Sequence, residues 1–139
     1  TVDMGASITM AIGASEAGLT PAVACIGDST FTHSGMTGLL DAVNNKNNIV
    51  VMILDNSTTG MTGGQKSSAE GRLESIVKGL GVEPEHVRVI KPLANQHDIN
   101  VQIIKEELAY EGVSVIIPRR ECIQTLSRRM RAKKAAEKK

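Results

Sequence analysis

Four short apolar runs, at 22–26, 49–54, 87–90 and 113–117, alternate with segments whose apolar residues recur at helical spacing. Met36, Leu39, Leu40 and Val43 repeat at threes and fours, as do Leu73, Ile76, Val77 and Leu80, and then Ile99, Ile103, Ile104 and Leu108. Strand-length runs separated by helix-length segments imply βαβ crossovers and a parallel sheet. Apart from Arg88 and Ser114, the runs are apolar on both faces, as expected of strands covered by helices on both sides. Ahead of the first run, residues 5–18 are rich in Ala, Ser and Gly, with Ile8, Ala11 and Ile12 on one side. That pattern predicts a helix whose small residues allow close packing. The fold class expected is therefore α/β, a parallel sheet with helices on both faces.

Ligands of such sheets gather at the carboxyl ends of the strands, which directs attention to the residues following 26 and 54. The first end reads GDSTFTHSG, from Gly27 to Gly35, and the second reads DNSTTGMTGGQ, from Asp55 to Gln65. Each places an oxygen-bearing side chain at the sheet edge, Asp28 and Asn56. Gly27 allows close backbone approach, and Ser29 and Thr30 offer hydroxyls and N–H groups at a helix start, where anions are favoured. A carboxylate, an amide oxygen and phosphate oxygens together form a hard-ligand set suited to Mg²⁺. Taken singly, Asp28 is an ordinary helix N-cap and Asn56 an ordinary turn residue. Their placement at two successive strand ends is what points to a site.

The loop GMTGGQKSS, residues 60–68, invites comparison with a nucleotide-binding P-loop. A Walker A loop reads G-x-x-x-x-G-K-[ST], and Gln65 stands here where its second fixed glycine belongs. That glycine lets the backbone wrap the phosphates. The later chain also has no clear strand ending in aspartate to serve as a Walker B partner. The P-loop reading fails.

Charge and composition narrow the class further. Residues 119–139 hold nine of the 16 Lys and Arg and two of the 15 Asp and Glu, so a net charge of +1 divides into a tail of about +7 and a body of about −6. Phe31 and Tyr110 are the only aromatic residues apart from histidine. An acidic body with almost no stacking surface argues against nucleic acid as the partner. The tail is expected to be a solvated basic helix or linker, leaving a domain at 1–118. No apolar run is long enough to span a membrane. With no basic-then-apolar leader at the start, and with Cys25 and Cys122 far apart, a cytoplasmic protein with reduced thiols is expected.

The paired ends carry a resemblance. Gly27-Asp28-Ser29, 26 intervening residues and then Asn56 are similar to the thiamine diphosphate fingerprint, glycine–aspartate–glycine followed by asparagine. The longer string GDSTFTHSGMTGLLDAVNNKNNIVVMILDNSTTGMTGGQ resembles the 2-oxoacid:ferredoxin oxidoreductases, in particular the α-subunit type that acts on indolepyruvate. Ser29 in place of the second glycine, FTHSG and DNSTTGMTGGQ are the discriminating features, and MGASITMAIGASEAG resembles the helix preceding the family's motif. The resemblance implies the family's diphosphate-binding (PP-type) fold over essentially the whole chain. It implies Mg²⁺ held by Asp28, Asn56 and the Thr58 carbonyl. Thr59, Gly60, Met61 and Thr62 would line the thiazolium and diphosphate, and Met4, Gly5 and Ser7 would face the aminopyrimidine. His33 is a candidate near the reacting centre, beside its plain reading as a solvent-facing helix-start residue.

The reaction implied is oxidative decarboxylation of an aryl pyruvate to an acyl-CoA, with coenzyme A as acceptor and electrons leaving through iron–sulfur clusters to ferredoxin. Two family parts are not matched by these residues. Glu16 and Glu70 lie in the wrong contexts to replace the activating glutamate of the pyrimidine-binding domain, and Cys122 stands without the C-x-x-C run of the cluster module. A domain or fragment of a larger subunit is therefore expected, inactive alone and working with a pyrimidine-binding domain and a second subunit in a homo- or hetero-oligomer. Two other readings stay open, another thiamine enzyme such as a non-oxidative 2-oxoacid decarboxylase, and a non-enzymatic nucleotide-binding α/β module using the 60–68 loop.

Overall fold

The computed structural model describes residues 3–59 and 64–136. Helix α1 (Ala6–Glu16) leads into strand β1 (Ala22–Gly27). Then comes one continuous helical stretch, α2 (Asp28–Thr30), a π turn (Phe31–Gly35) and α3 (Met36–Asn44). Strand β2 (Ile49–Leu54) is followed by a small hairpin, β3 (Thr58–Thr59) and β4 (Gln65–Lys66). Helix α4 (Leu73–Gly79), strand β5 (Val87–Ile90), helix α5 (His97–Ala109), strand β6 (Val113–Pro118) and helix α6 (Ile123–Ala136) complete the chain. The expected strands and helices are all present. The sheet is parallel throughout, in the order β1-β2-β6-β5.

The alternation of side chains along each strand divides the core in two. Ala22, Ala24 and Ile26 of β1, Ile49, Val51 and Ile53 of β2, and Val113, Val115 and Ile117 of β6 face one side. There they meet Ile8 and Ile12 of α1, Leu39 and Ala42 of α3, and Leu73 and Val77 of α4. On the other side Val50, Ile90 and Ile116 pack against Ile103, Ile104 and Leu108 of α5. Helices do lie on both faces, but the second cover is incomplete. The α5 contacts lie on β2, β5 and β6, so Val23 on edge strand β1 is 47% exposed and Cys25 beside it is also exposed. Among the described residues no helix is long and apolar enough to cross a membrane.

Two glycines set how closely the site-bearing helix approaches its neighbours. A Cβ at Gly35 would come within 2.8 Å of Ile26 Cδ1 and 2.9 Å of the Phe31 ring. Gly5, at φ +94°, would place a Cβ 2.5 Å from Ser34 Oγ. The first glycine presses the π turn onto β1, and the second lets the start of α1 rest on the same turn.

Candidate functional site

Parallel pairing brings the carboxyl ends of β1, β2 and β6 to one edge. Gly27 is in register with Leu54, so Asp28 and Asp55 begin the next rung, and Asp55 is bridged in parallel to Arg119. This edge is where the sequence placed its candidates.

Asp28 opens the helix after Gly27, whose extended backbone (φ −77°, ψ 153°) ends the strand. Its side chain is only 3% exposed. Oδ1 accepts the Ser29 N–H at 2.8 Å, while Oδ2 is buried without a hydrogen-bond partner. Burial pushes the carboxyl pKa up, with nearby Asp55 adding to the effect and the polar groups of Ser29, Ser67 and Ser57 opposing it. An orphaned buried carboxylate oxygen is a rare and costly feature. A cation beside it would supply the missing partner.

The second strand end is built from nested side-chain turns. Asp55 Oδ1 accepts the Ser57 N–H at 3.0 Å and Asn56 Oδ1 accepts the Thr58 N–H at 2.9 Å. Ser57 is held in the left-handed region at φ +58°, uncommon for a residue with a side chain. The Ser67 N–H donates to the Ser57 carbonyl at 3.3 Å, which makes 57 and 67 a hydrogen-bonded pair of the hairpin. The neighbouring pair, Thr58 and Lys66, is then of the non-hydrogen-bonded kind, so the Thr58 carbonyl points outside the ladder. The hairpin reaches back across the site, where Thr59 Oγ1 donates to Ser29 Oγ at 3.2 Å.

The structure thus brings Asp28, Ser29, Ser57 and Thr59 together, with Asn56 and Thr58 on the same turn. The donor set fits Mg²⁺ through a buried carboxylate with a free oxygen, an amide oxygen with a remaining lone pair, and an outward carbonyl. Ser29 differs from the expectation in one respect, because its N–H is already given to Asp28. Met4, Gly5 and Ser7 share with Gly27 and Thr30 an open cleft of about 300 Å³ at the start of α1. The Ser34 hydroxyl shares its proton between the Met4 carbonyl at 3.1 Å and the Thr30 carbonyl at 3.2 Å. His33 sits exposed on the π turn. Gly60, Met61 and Thr62 lie outside the described residues.

Sequence reasoning missed three members of this edge. Asp55 is 4% exposed and Arg119 Nε donates to its Oδ2. The other two guanidinium nitrogens each donate to a Glu74 oxygen at 2.9 Å. Glu74 holds the Arg119 pKa up, and Arg119 in turn depresses that of Glu74. Arg119 had been counted with the basic tail, yet its backbone N–H donates to Ile90 and that of Arg120 donates to Asp55. The only signal for this in the sequence was an arginine directly after a strand.

Comparisons with known proteins identify the family and the fold. Residues 1–118 match the family described as "Thiamine pyrophosphate enzyme, C-terminal TPP binding domain". The indolepyruvate oxidoreductase subunit IorA of Archaeoglobus fulgidus is 39% identical over 142 aligned positions, covering 94% of this chain and 22% of that protein. The protein of the same name from Methanothermobacter thermautotrophicus is 36% identical over 133 positions, covering 88% of this chain and 21% of the relative. The chain therefore spans about a fifth of the length of these curated relatives. Among solved structures, a thiamine diphosphate-dependent 4-hydroxybenzoylformate decarboxylase from Rhodococcus jostii superimposes with a TM-score of 0.59 at 24% identity, over 85% of this chain and 23% of the other. Benzoylformate decarboxylase from Polynucleobacter necessarius gives 0.60 at 19%, over 86% and 23%. These two likenesses establish the fold. With the sequence match extending over both strand ends, the chain belongs to the thiamine pyrophosphate enzyme family, as its C-terminal TPP-binding domain.

Proposed function

We propose that this chain is the diphosphate- and Mg²⁺-binding domain of an oxidoreductase that oxidatively decarboxylates aryl 2-oxoacids, indolepyruvate foremost. The single observation that carries the reading is the buried, half-partnered carboxylate of Asp28 against the Asn56–Thr58 turn. Asp28, Asn56 and the Thr58 carbonyl hold the metal. Ser29 and Thr30 offer donors to the diphosphate at the helix start, and the family resemblance assigns Thr59, Gly60, Met61 and Thr62 to the same lining. Met4, Gly5 and Ser7 border the cleft assigned to the aminopyrimidine. Thiamine diphosphate supplies the carbanion chemistry when bound. The protein's part at this edge is to neutralise the diphosphate, fix its orientation and keep the anchoring carboxylate dry.

Indolepyruvate as substrate is supported by the names of the relatives, and their being subunits supports action within a multi-subunit assembly. Ferredoxin as electron acceptor, coenzyme A as acyl acceptor and iron–sulfur clusters elsewhere in the assembly follow from the family resemblance. The activating glutamate belongs to a pyrimidine-binding domain outside this chain, so the chain alone has no turnover. The test is a graft. Placing these 139 residues in the corresponding segment of the Archaeoglobus fulgidus subunit, assembled with its partner subunit, is expected to preserve indolepyruvate-dependent reduction of ferredoxin. An assembly that binds thiamine diphosphate but oxidises no aryl pyruvate would overturn the substrate assignment.

A further inference from the structure

We infer that Arg119, Asp55 and Glu74 form a positioning device that sets the geometry of the metal-bearing turn at 55–58. The inference rests on the Mg²⁺ reading of that turn and adds residues to which the family pattern of Asp and Asn assigns nothing.

Asp55 is fixed on every side. Its N–H donates to the Pro118 carbonyl at 3.0 Å, and its carbonyl accepts the Arg120 N–H at 3.0 Å. Its Oδ2 is taken by Arg119, which leaves Oδ1 no freedom to turn away from the Ser57 N–H. That bond holds Ser57 in the left-handed region. A serine gains little by adopting that conformation unaided. The backbone angle at Ser57 in turn aims the Thr58 carbonyl and N–H, and with the N–H the Asn56 amide that accepts from it. A path of direct contacts therefore runs from Arg119 to two of the three proposed metal ligands.

The residue type matters. A guanidinium can present one edge to Glu74 as a two-point fork and keep Nε for Asp55, whereas an ammonium is a point charge that cannot hold both carboxylates in fixed orientation. Glu74, on the first turn of α4, fixes the rotation of the fork. These residues do not touch the metal. They act through the turn, as outer-shell partners orient ligands in metal sites generally.

The test uses this chain with Mg²⁺ titrated at fixed thiamine diphosphate, for the wild type, Arg119→Lys and Glu74→Gln. Hydrogen exchange at the Ser57 amide and the urea midpoint are read on the same samples. Arg119→Lys is expected to raise the Mg²⁺ requirement about tenfold, the scale typical of outer-shell changes. The Ser57 amide should exchange faster even without metal. Glu74→Gln, which keeps the Arg119–Asp55 contact, should do the same to a smaller degree with its midpoint near wild type. A lower urea midpoint with unchanged Mg²⁺ requirement and unchanged Ser57 exchange would mean a merely structural ion pair and would overturn the inference alone. A wild type with no Mg²⁺ dependence would overturn the metal reading and this inference together.

Discussion

At the residue scale, Asp28 carries an electrostatic cost that its neighbours leave partly uncompensated. Asp28 is buried, has one unpartnered oxygen and lies near the carboxylate of Asp55. Its folded pKa is raised above the ordinary 3.8, so the folded metal-free chain holds that proton more tightly than the unfolded chain does. Stability from this group is therefore complete below 3.8 and is lost as pH rises through the raised value. Asp28→Asn should make the metal-free chain more stable near neutral pH and flatten that part of the stability–pH profile, both measurable by urea unfolding between pH 3 and 8. A variant less stable than wild type at pH 7 would show that the carboxylate is satisfied by the protein itself. The placement of Asp28 and Asn56 at one sheet edge was legible from the order of two strand ends. Asp55 was not, because a carboxylate beginning a turn reads as ordinary turn chemistry until the arginine that pairs with it, 64 residues later, is seen beside it.

At the scale of elements the helical stretch from Asp28 to Asn44 and the α4–β6 junction decide how the edge is held. The stretch passes through a π turn where Thr32 Oγ1 donates to the Ser29 carbonyl at 3.0 Å and Ser34 Oγ to the Thr30 carbonyl at 3.2 Å. Such back-bonding loosens the regular ladder, and π turns recur at functional sites. Gly35→Ala would overpack the contact with Ile26 and Phe31 and should cost about 1–3 kcal/mol in thermal or urea unfolding. A neutral substitution would mean that the turn has room to move. At the junction, Glu74 is held below its ordinary 4.5 chiefly by its hydrogen bonds to Arg119. Its contribution to stability is present above 4.5 and is lost as pH falls through the depressed folded value. With the pair about one-third exposed, Glu74→Gln should cost only about 0.5–1 kcal/mol at pH 7, and the difference should vanish in acid. Strands and helices were readable here because short continuous apolar runs and a spacing near 3.6 are both written locally. The π turn was not, since FTHSG has no periodic signature, and the two-residue strands β3 and β4 are too short to produce one.

For the whole molecule, two polar networks fasten the sheet from opposite sides, one at the candidate site and one away from it. Glu107 on α5 is 1% exposed, with His86 Nδ1 at 2.9 Å from one carboxylate oxygen and Arg88 Nη1 donating to the other at 3.0 Å. His86 also stacks on Tyr110, whose hydroxyl donates to Glu83 at 3.1 Å. A glutamate in the run Lys105-Glu106-Glu107 reads from sequence as a solvated helix face, and only the tertiary partners make it a core residue. Glu107→Ala strands Arg88 and His86 and should cost about 2–4 kcal/mol, somewhat below a fully buried pair because Arg88 keeps Glu106 at 3.5 Å. A loss under 1 kcal/mol would show that solvent replaces the carboxylate. The α/β architecture itself was almost fully legible, apart from the uncovered face of β1, because α5's reach over the sheet is a tertiary fact. At the other end of the sheet, the proposed Mg²⁺ site rests on Asp28, buried between two strand termini with one unpartnered oxygen. Its most direct test is a calorimetric titration of thiamine diphosphate, with and without Mg²⁺, into the wild type and Asp28→Ala, for this chain and for the same chain grafted into the complete subunit. The account predicts binding that requires Mg²⁺ and disappears in the Asp28 variant. Binding indifferent to Mg²⁺ or to Asp28, or none in either setting, would contradict it.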